Sequence, residues 1–247
     1  MKVIINLSLA DYVRTGNRNT DLLLEGHHPL MPLVTAYYEF FATSLWADGQ
    51  PVQQVPMFLS SNAFMIWTSG VRIAMSGHEA AVYPLFRTSL ESACYALLIA
   101  RKPELGMVWS NRHDGEDERK ASRRAFSSAV VDAAKYLEDW HSGLGAIINS
   151  LYETSIDHGA HPNTRGVMNH VQSTSQDPEE LRFDQGSIYP GDSIQVFRAL
   201  TASIEYGRGI AFVLSQCLPI FSQRIGEAIQ ALETRRAEFF SLNGHDR

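Results

Sequence analysis

The sequence predicts a mainly α-helical protein: a helical bundle of about seven helices with a small antiparallel β-hairpin or sheet. Most long stretches place apolar residues at helical spacing, between breaks that contain proline or glycine. The stretch 83–100 is apolar nearly all round, which is typical of a helix in the middle of a bundle. Two strand-like pieces lie within 166–188. With no internal repeat or clear linker, we predict one helical domain over 1–247, with 166–188 as a hairpin insertion.

The N-terminal quarter is predicted to contain a strand, a loop and two helices. Valine and isoleucine make Lys2–Leu9 a short strand candidate. The polar stretch Asp11–Leu30 carries glycine and proline loop signals, so no regular element is expected there. A first helix is predicted over Pro32–Ala47, because proline suits a first helical turn, and a second helix over Met57–Met75.

Proline and glycine breaks divide the rest of the chain into further elements. The predicted helices are Tyr83–Ala100, Glu104–Arg112, Asp114–Trp140, Leu144–Ile156, Asp192–Leu218 and Phe221–Leu242. The two strand candidates are Val167–Gln172 and Glu180–Ile188. The last two helices are long and apolar, and from them we predict a homodimer.

Composition narrows the classes of function. A formal net charge of −6 gives the chain no general attraction to nucleic acid or to an anionic membrane. Cys94 and Cys217 lie in apolar helical patterns and are interpreted as free thiols of a cytoplasmic protein. Met57–Met75 is the most membrane-like stretch, but its polar residues suit a buried helix. No phosphate-binding loop, dinucleotide fingerprint or nucleophile elbow is present, and no cofactor is predicted.

The predicted central helix carries a polar stripe. Arg87 and Glu91 are one turn apart, and Tyr83 and Tyr95 extend the same row. Because an unpaired buried charge is costly, Arg87 and Glu91 are expected to pair. The simpler interpretation is a structural ion pair. The other is a pocket for a polar ligand, which makes Tyr83, Arg87 and Glu91 candidate ligand-binding residues.

A second polar cluster contains Tyr152, Ser155, His158 and His161. Histidine transfers protons near neutral pH and ligates metals. The simpler interpretation is a helix end, since Gly159 allows a left-handed turn and a His-Pro step prevents continuation. A metal site is disfavoured because His-x-x-His lacks a third ligand in register, so no metal is predicted. As a ligand site, the four side chains would join the stripe.

Two stretches together resemble a group of uncharacterised bacterial all-helical proteins. They are Leu85-Phe86-Arg87-Thr88-Ser89-Leu90-Glu91-Ser92-Ala93 and Tyr152-x-x-Ser155-x-x-His158-x-x-His161-Pro162. That group shares an arginine-Ser-x-x-Glu central helix and a later Ser…His-Pro element, and the resemblance covers about Tyr83–Asn163. The group is loosely similar to the HEPN superfamily, which includes toxin and phage-defence ribonucleases and non-catalytic binding bundles.

The resemblance also implies a set of candidate catalytic residues. The HEPN ribonuclease signature is an arginine followed by four to six residues and a histidine, and Arg165-Gly-Val-Met-Asn-His170 has this spacing. With His158 and His161, these two residues are the catalytic candidates. The match lies in a stretch predicted as loop and strand, whereas the family carries it on a helix. Gly166 also replaces the polar residue that usually follows the arginine.

Two functions from different classes follow. The preferred one is a non-enzymatic bundle that binds a small polar ligand or a protein partner between its helices. The alternative is a HEPN-like, metal-independent endoribonuclease of a toxin or phage-defence system. The acidic net charge and the unusual place of the signature disfavour nucleic acid as a partner.

Overall fold

Helices make up most of the chain in the computed structural model, which describes residues 8–26, 28–47, 49, 51–173 and 183–242. The α-helices are α1 Leu9–Glu25, α2 Met31–Glu39, α3 Gln54–Met75, α4 Glu79–Arg101, α5 Glu104–Ser110, α6 Glu116–Phe126, α7 Ala129–Trp140, α8 Leu144–Ser155, α9 Thr164–Met168, α10 Ile194–Ser215 and α11 Gln223–Leu242. Two π-helical turns, Phe40–Ser44 and Ile156–Ala160, extend α2 and α8, and a 3₁₀ turn, Asn111–His113, extends α5. The mainly α-helical class is therefore confirmed, with more helices than the seven expected.

The stretch 11–30, predicted as a polar loop, is mostly helical, and that prediction is wrong. Ser8 caps α1, because its hydroxyl oxygen accepts a hydrogen bond from the backbone N–H of Asp11 at 3.2 Å. Gly16, which is a loop signal in the sequence, lies within α1, where this helix approaches the turn after α3. A Cβ at this glycine would lie 3.2 Å from the His78 ring. Its small size serves packing rather than chain reversal.

Two other predicted boundaries also differ. Of the predicted strand Lys2–Leu9, Leu9 belongs to α1, and residues 2–7 lie outside the described part of the chain. The predicted helix Asp114–Trp140 is divided into α6 and α7 by a turn at Ser127 and Ser128. The hydroxyl of Ser128 binds a carboxylate oxygen of Asp132 at 2.6 Å, so polar contacts favour a new helix start here.

Strand structure is limited to two short segments. β1 Val171–Ser173 and β2 Phe183–Gln185 pair antiparallel, with Val171 opposite Gln185. The residues between them, 174–182, lie outside the described part of the chain, so the hairpin stays a prediction.

The start of the predicted strand Val167–Gln172 is wrong, because α9 occupies its first two residues. Asn163 starts this helical turn: its side-chain oxygen accepts a hydrogen bond from the backbone N–H of Gly166 at 2.8 Å. An N-cap of this kind satisfies a free backbone donor and outweighs a weak strand preference over five residues.

The core lies where α3, α4 and α10 pack together. Trp67 of α3 is fully buried, and its indole N–H donates to the backbone oxygen of Ser203 in α10 at 2.8 Å. Gly70 lets α4 approach α3, because a Cβ there would lie 2.4 Å from the Phe86 ring. The central place predicted for the helix around 83–100 is thus confirmed.

The apolar surface of α10 is used within the chain. None of its residues from Ala199 to Ser215 is exposed. The homodimer expected from α10 and α11 stays a prediction. Within the described ranges, none of the helices is both long and apolar enough to cross a membrane.

Candidate functional site

The polar row on α4 consists of Tyr83, Arg87, Glu91 and Tyr95, and we call it the α4 stripe. The Nε of Arg87 donates to the Oε1 of Glu91 at 2.9 Å, which is the ion pair expected from the sequence. The Arg87 side chain is 19% exposed and that of Glu91 35%. The central helix therefore keeps its two charges at a partly buried boundary.

Arg87 joins α4 to the end of α8 and the loop that follows. Its Nη2 donates to the hydroxyl of Tyr152 at 2.8 Å, and its Cζ lies 4.8 Å from the centre of the same ring. Its Nη1 lies 2.7 Å from the Nε2 of His161. Burial by itself lowers the pKa of Arg87, but the hydrogen bonds and charge of Glu91 and the contact with Tyr152 outweigh it and raise the pKa. The guanidinium is thus committed to protein partners.

A π-helical turn carries His158 towards α4. The turn is kinked, because Gly159 within it has non-helical backbone angles. Gly159 in the turn has a φ of 141°, and a Cβ there would lie 3.1 Å from the backbone oxygen of Ala80. The turn places the His158 ring on Tyr83, with ring centres 5.2 Å apart and planes at 28°. The helix end predicted from Gly159 and the His-Pro step lies at His161, whose backbone is extended.

Ser155, the remaining ligand-binding candidate, serves its own helix. Its side chain is buried, and its hydroxyl donates to the backbone oxygen of Tyr152 at 2.6 Å. The hydroxyl of Tyr206 from α10 donates to the neighbouring backbone oxygen of Leu151 at 2.6 Å. These two hydroxyls add side-chain hydrogen bonds to backbone oxygens in the last turns of α8.

Arg165 and His170, the two residues of the ribonuclease spacing, have separate contacts. Arg165 pairs with Asp157 at 3.0 Å on the surface. His170 is buried, and its Nδ1 lies 2.8 Å from the Tyr189 hydroxyl. Burial lowers the pKa of His170. The structure gives these two candidates no direct contact with each other.

The two histidines of the predicted cluster point to different neighbours, His158 to Tyr83 and His161 to Arg87. Among the described residues, no three or more His, Cys, Asp or Glu side chains are grouped so that they could hold a metal ion.

A cavity of about 990 Å³, which we call the main cavity, lies between α4, α8, α10 and α11. Tyr83 and His158 form one wall. Leu151, Phe197 and Ala202 supply apolar lining, and Phe240 of α11 contributes another ring. Of the seven predicted ligand-binding residues, only Tyr83 and His158 line this cavity.

Polar groups from α10 and α11 also line the main cavity. The Thr201 hydroxyl is buried and has no hydrogen-bond partner in the part of the chain that the structure describes. Arg198 is exposed and forms no ion pair with another residue of the described part. At the other end of the lining, the Nε of Arg236 donates to a carboxylate oxygen of Glu205 at 2.6 Å. Arg198 and the Thr201 hydroxyl are therefore among the polar groups left for another partner, and the exposed carboxylate of Glu238 also lines the cavity.

The electrostatics at the His158 end favour a neutral imidazole. Burial lowers the pKa of His158, and the charge of Arg165 lowers it further, while Asp157 opposes the change. Burial raises the pKa of Tyr83 to about 12, so its phenol stays protonated. Near neutral pH this wall offers hydrogen-bonding groups rather than charges.

A smaller cavity of about 230 Å³ lies on the other side of the stripe. Glu91, Tyr95 and Tyr152 line it, together with the start of α7. The α4 stripe therefore runs from the main cavity, at Tyr83, to this smaller one. One interpretation of the sequence was a ligand pocket lined by Arg87 and Glu91; in the structure Arg87 lines neither of these two cavities.

Sequence reasoning missed the residues that α10 and α11 contribute. The signal in α10 was the spacing of Arg198, Thr201 and Glu205, which puts three polar residues on one face of an otherwise apolar helix. Arg236 gave no comparable signal, because it lies on a polar helix and its role depends on long-range packing.

Comparison with known proteins places this chain in no family: no family model matches it, and no curated protein and no solved structure matches it either. The resemblance to the HEPN superfamily therefore rests on the sequence patterns alone.

Proposed function

We propose that the protein binds a small ligand with a polar group and an apolar body in the main cavity. The observation that carries this proposal is that two groups in one largely apolar cavity, the exposed Arg198 and the buried Thr201 hydroxyl, have no ion-pair or hydrogen-bond partner among the described residues. A buried hydroxyl without a partner costs free energy, which a bound ligand can recover.

The shape of the cavity supports a small molecule as the ligand. Ligand-binding cavities are typically about 300–1,000 Å³ in volume, mostly apolar, and contain a few placed polar groups. The main cavity, at about 990 Å³, falls at the upper end of this range. Its walls come from four helices, so a ligand there would contact the centre of the fold.

The α4 stripe has a supporting role in this proposal. Tyr83 and His158 contribute directly to the cavity wall. Arg87 binds Tyr152 and His161 on either side of the π-helical turn that carries His158. We propose that this contact holds the turn, and with it the cavity wall, in place. The function is binding, and no reaction is assigned to these residues.

Screening of wild-type protein with a library of chemically diverse small fragments tests the proposal. Binding is detected by ligand-observed NMR and by a rise in the melting temperature. Ala202→Phe fills the main cavity, and Ala231→Phe makes the same change on the exposed surface of α11. We expect fragments that bind wild type and Ala231→Phe but not Ala202→Phe. Fragments that bind all three proteins equally, or no fragment at all, would overturn the proposal.

The ribonuclease alternative is tested by RNA cleavage in the presence of EDTA. It requires Arg165 and His170 to act together, and their separate contacts give it no support. The comparison variant carries His158→Ala, His161→Ala and His170→Ala together. We expect any EDTA-resistant cleavage to be the same in wild type and in this triple variant. A loss of cleavage in the triple variant would replace the binding proposal. The homodimer and the cytoplasmic location stay predictions.

A further inference from the structure

The chemical character of the side chains changes along the face of α10 that lines the main cavity. Ile194, Arg198, Thr201, Ala202 and Glu205 all line it, and their spacing puts them on the same side of the helix. A basic group thus lies near the start of the helix, a hydroxyl and a small apolar residue follow, and an acidic group lies two turns beyond the arginine. A ligand along this face would meet different chemistry at its two ends.

The acidic end of this face is already neutralised. Glu205 is hydrogen-bonded to Arg236 at 2.6 Å, and both side chains are about one quarter exposed. The nearby pair of Arg208 and Glu233 ties the same two helices, with a shortest distance of 2.6 Å. These pairs make α11 a roof over the cavity and leave no unpaired cation at that end among the described residues.

The basic end is different. Arg198 forms no ion pair in the described part of the chain, and Thr201 places an unpartnered hydroxyl on the same helical face. A guanidinium has only hydrogen-bond donors, arranged in a planar fork that matches a carboxylate. A hydroxyl can donate a further hydrogen bond to the same group. The two together are suited to a carboxylate.

Two acidic side chains and a histidine lie near the basic end of this face. Glu79 is buried on α4; burial raises its pKa and the charge of Arg198 lowers it. The two do not form an ion pair, and Glu79 does not line the cavity. Glu238 does line it, from the exposed side of α11. The pKa of His158 is lowered, which favours its neutral form.

The space beyond the arginine is apolar. The side chains of Leu151, Phe197 and Ala202 contribute to it, as does Phe240 from the roof. A flexible or flat apolar group could bury its surface here, at about 25 cal/mol for each Å² removed from water. A second negative charge on the ligand would meet the exposed carboxylate of Glu238 on these walls.

We infer that the ligand of the main cavity is an amphipathic monocarboxylate, with its carboxylate at Arg198 and Thr201 and its apolar body between α8, α10 and α11. This inference rests on the proposed function and adds the chemical class of the ligand. The carboxylate replaces the missing partner of the guanidinium, and the apolar body replaces water along the α10 face.

Three probes that share one chain length separate the head group from the tail: decanoate, decanol and decylamine. Affinities are measured by calorimetry below the aggregation limit of each probe. We expect wild type to bind decanoate at least about 10-fold more tightly than decanol, since a charge-assisted hydrogen bond is worth more than a neutral one, and decylamine most weakly. Ala202→Phe should abolish specific binding of all three.

Two variants then test the head-group site. Arg198→Gln should weaken decanoate binding about 10-fold or more and leave decanol unchanged. Thr201→Val should weaken decanoate by a smaller factor. The matched control is Arg235→Gln, on the exposed face of α11 outside the cavity, and it should bind as wild type does.

The outcomes distinguish the inference from the proposed function. If decanoate and decanol bind wild type equally, or if Arg198→Gln leaves decanoate binding unchanged, the inference is overturned and the cavity remains a ligand site. If none of the three probes binds, the inference is also overturned. The proposed function then depends only on the fragment screen and its Ala202→Phe control.

Discussion

Arg87 and His161 lie in hydrogen-bond contact, with 2.7 Å between a guanidinium nitrogen and the Nε2 of the imidazole. Arginine has donors only, so the imidazole nitrogen must accept. Through this bond the central helix holds the first residue after the π-helical turn, and so the turn that places His158 in the wall of the main cavity.

Removal of this guanidinium should destabilise the fold. In Arg87→Met, Glu91 loses its ion-pair partner and Tyr152 and His161 each lose a hydrogen bond. We expect the free energy of unfolding, measured in urea, to fall by about 1–3 kcal/mol, since partly buried polar groups are left without partners. Arg235→Met, at an exposed position of α11, should change it by less than about 0.5 kcal/mol. Equal effects of the two substitutions would show that the Arg87 contacts do not support the fold.

The ion pairs between α10 and α11 should stabilise the packing of these two helices. Glu205→Gln, Arg236→Gln and the double variant form a mutant cycle for one pair. Because each side chain is only about one quarter exposed, we expect a coupling energy of about 1 kcal/mol from urea unfolding. The exposed pair of Lys135 and Asp132 provides a control cycle, with an expected coupling nearer zero. Additive effects at Glu205 and Arg236 would contradict a tie between the helices.

A methyl group at Gly70 should be destabilising although alanine is the better helix former. Its Cβ would lie 2.4 Å from the Phe86 ring, in the contact of α3 with α4. The steric cost should exceed the helix-propensity gain of about 1 kcal/mol, so Gly70→Ala should lower the unfolding free energy by about 1–3 kcal/mol. Gly106→Ala is the matched control, because its nearest contact would be an ordinary 3.5 Å from Ile99. If both variants were stabilised, the close approach of α3 and α4 would be wrong.

Stability should fall as the pH is lowered through the histidine range. Burial lowers the pKa of His158 below its ordinary 6.5, and it acts in the same direction on His28, His78 and His170. The unfolded chain then binds more protons than the folded one below about pH 6.5, so the unfolding free energy rises with pH in that window. This contribution to stability is complete above the histidine pKa of the unfolded chain. It is lost as the pH falls towards the lower pKa of these histidines in the folded chain.

The matching experiment is a series of urea unfolding curves between about pH 5 and pH 8. Wild type should become less stable towards the acid end, and His158→Gln should show a shallower slope. Gln230→Ala, at an exposed position of α11 without a titratable group, serves as the control and should keep the wild-type slope. A steeper slope for His158→Gln would mean that His158 is protonated in the folded protein.

The sequence predicted best what depends on local spacing. Arg87 and Glu91 are one turn apart, and the apolar surroundings required them to pair, as the structure shows. It could not predict which distant groups complete the contact, because Tyr152 and His161 reach Arg87 only through the packing of α8 on α4. The π-helical turn at Ile156–Ala160 was also out of reach, since the sequence signalled only that the helix ends.

Three other features, α1, the main cavity and the environment of Arg198, could not be predicted from local sequence patterns. The segment now seen as α1 looked like a loop because Gly16 and its polar neighbours were weighed as turn residues rather than as packing contacts. The main cavity depends on how α11 lies over α10, and no local pattern reports that. Arg198 could have been noticed as a charge on an apolar helix, but its lack of a partner appears only in the folded chain.

The most direct test of the ligand-binding proposal is an amide NMR titration of wild-type protein with pools of the small-fragment library. We predict that the largest chemical-shift changes map to Ile194–Glu205 of α10 and Arg236–Ser241 of α11, which line the main cavity. They should be absent in Ala202→Phe. Shift changes confined to other helices, or no change with any pool, would contradict the assignment of the main cavity as the ligand site.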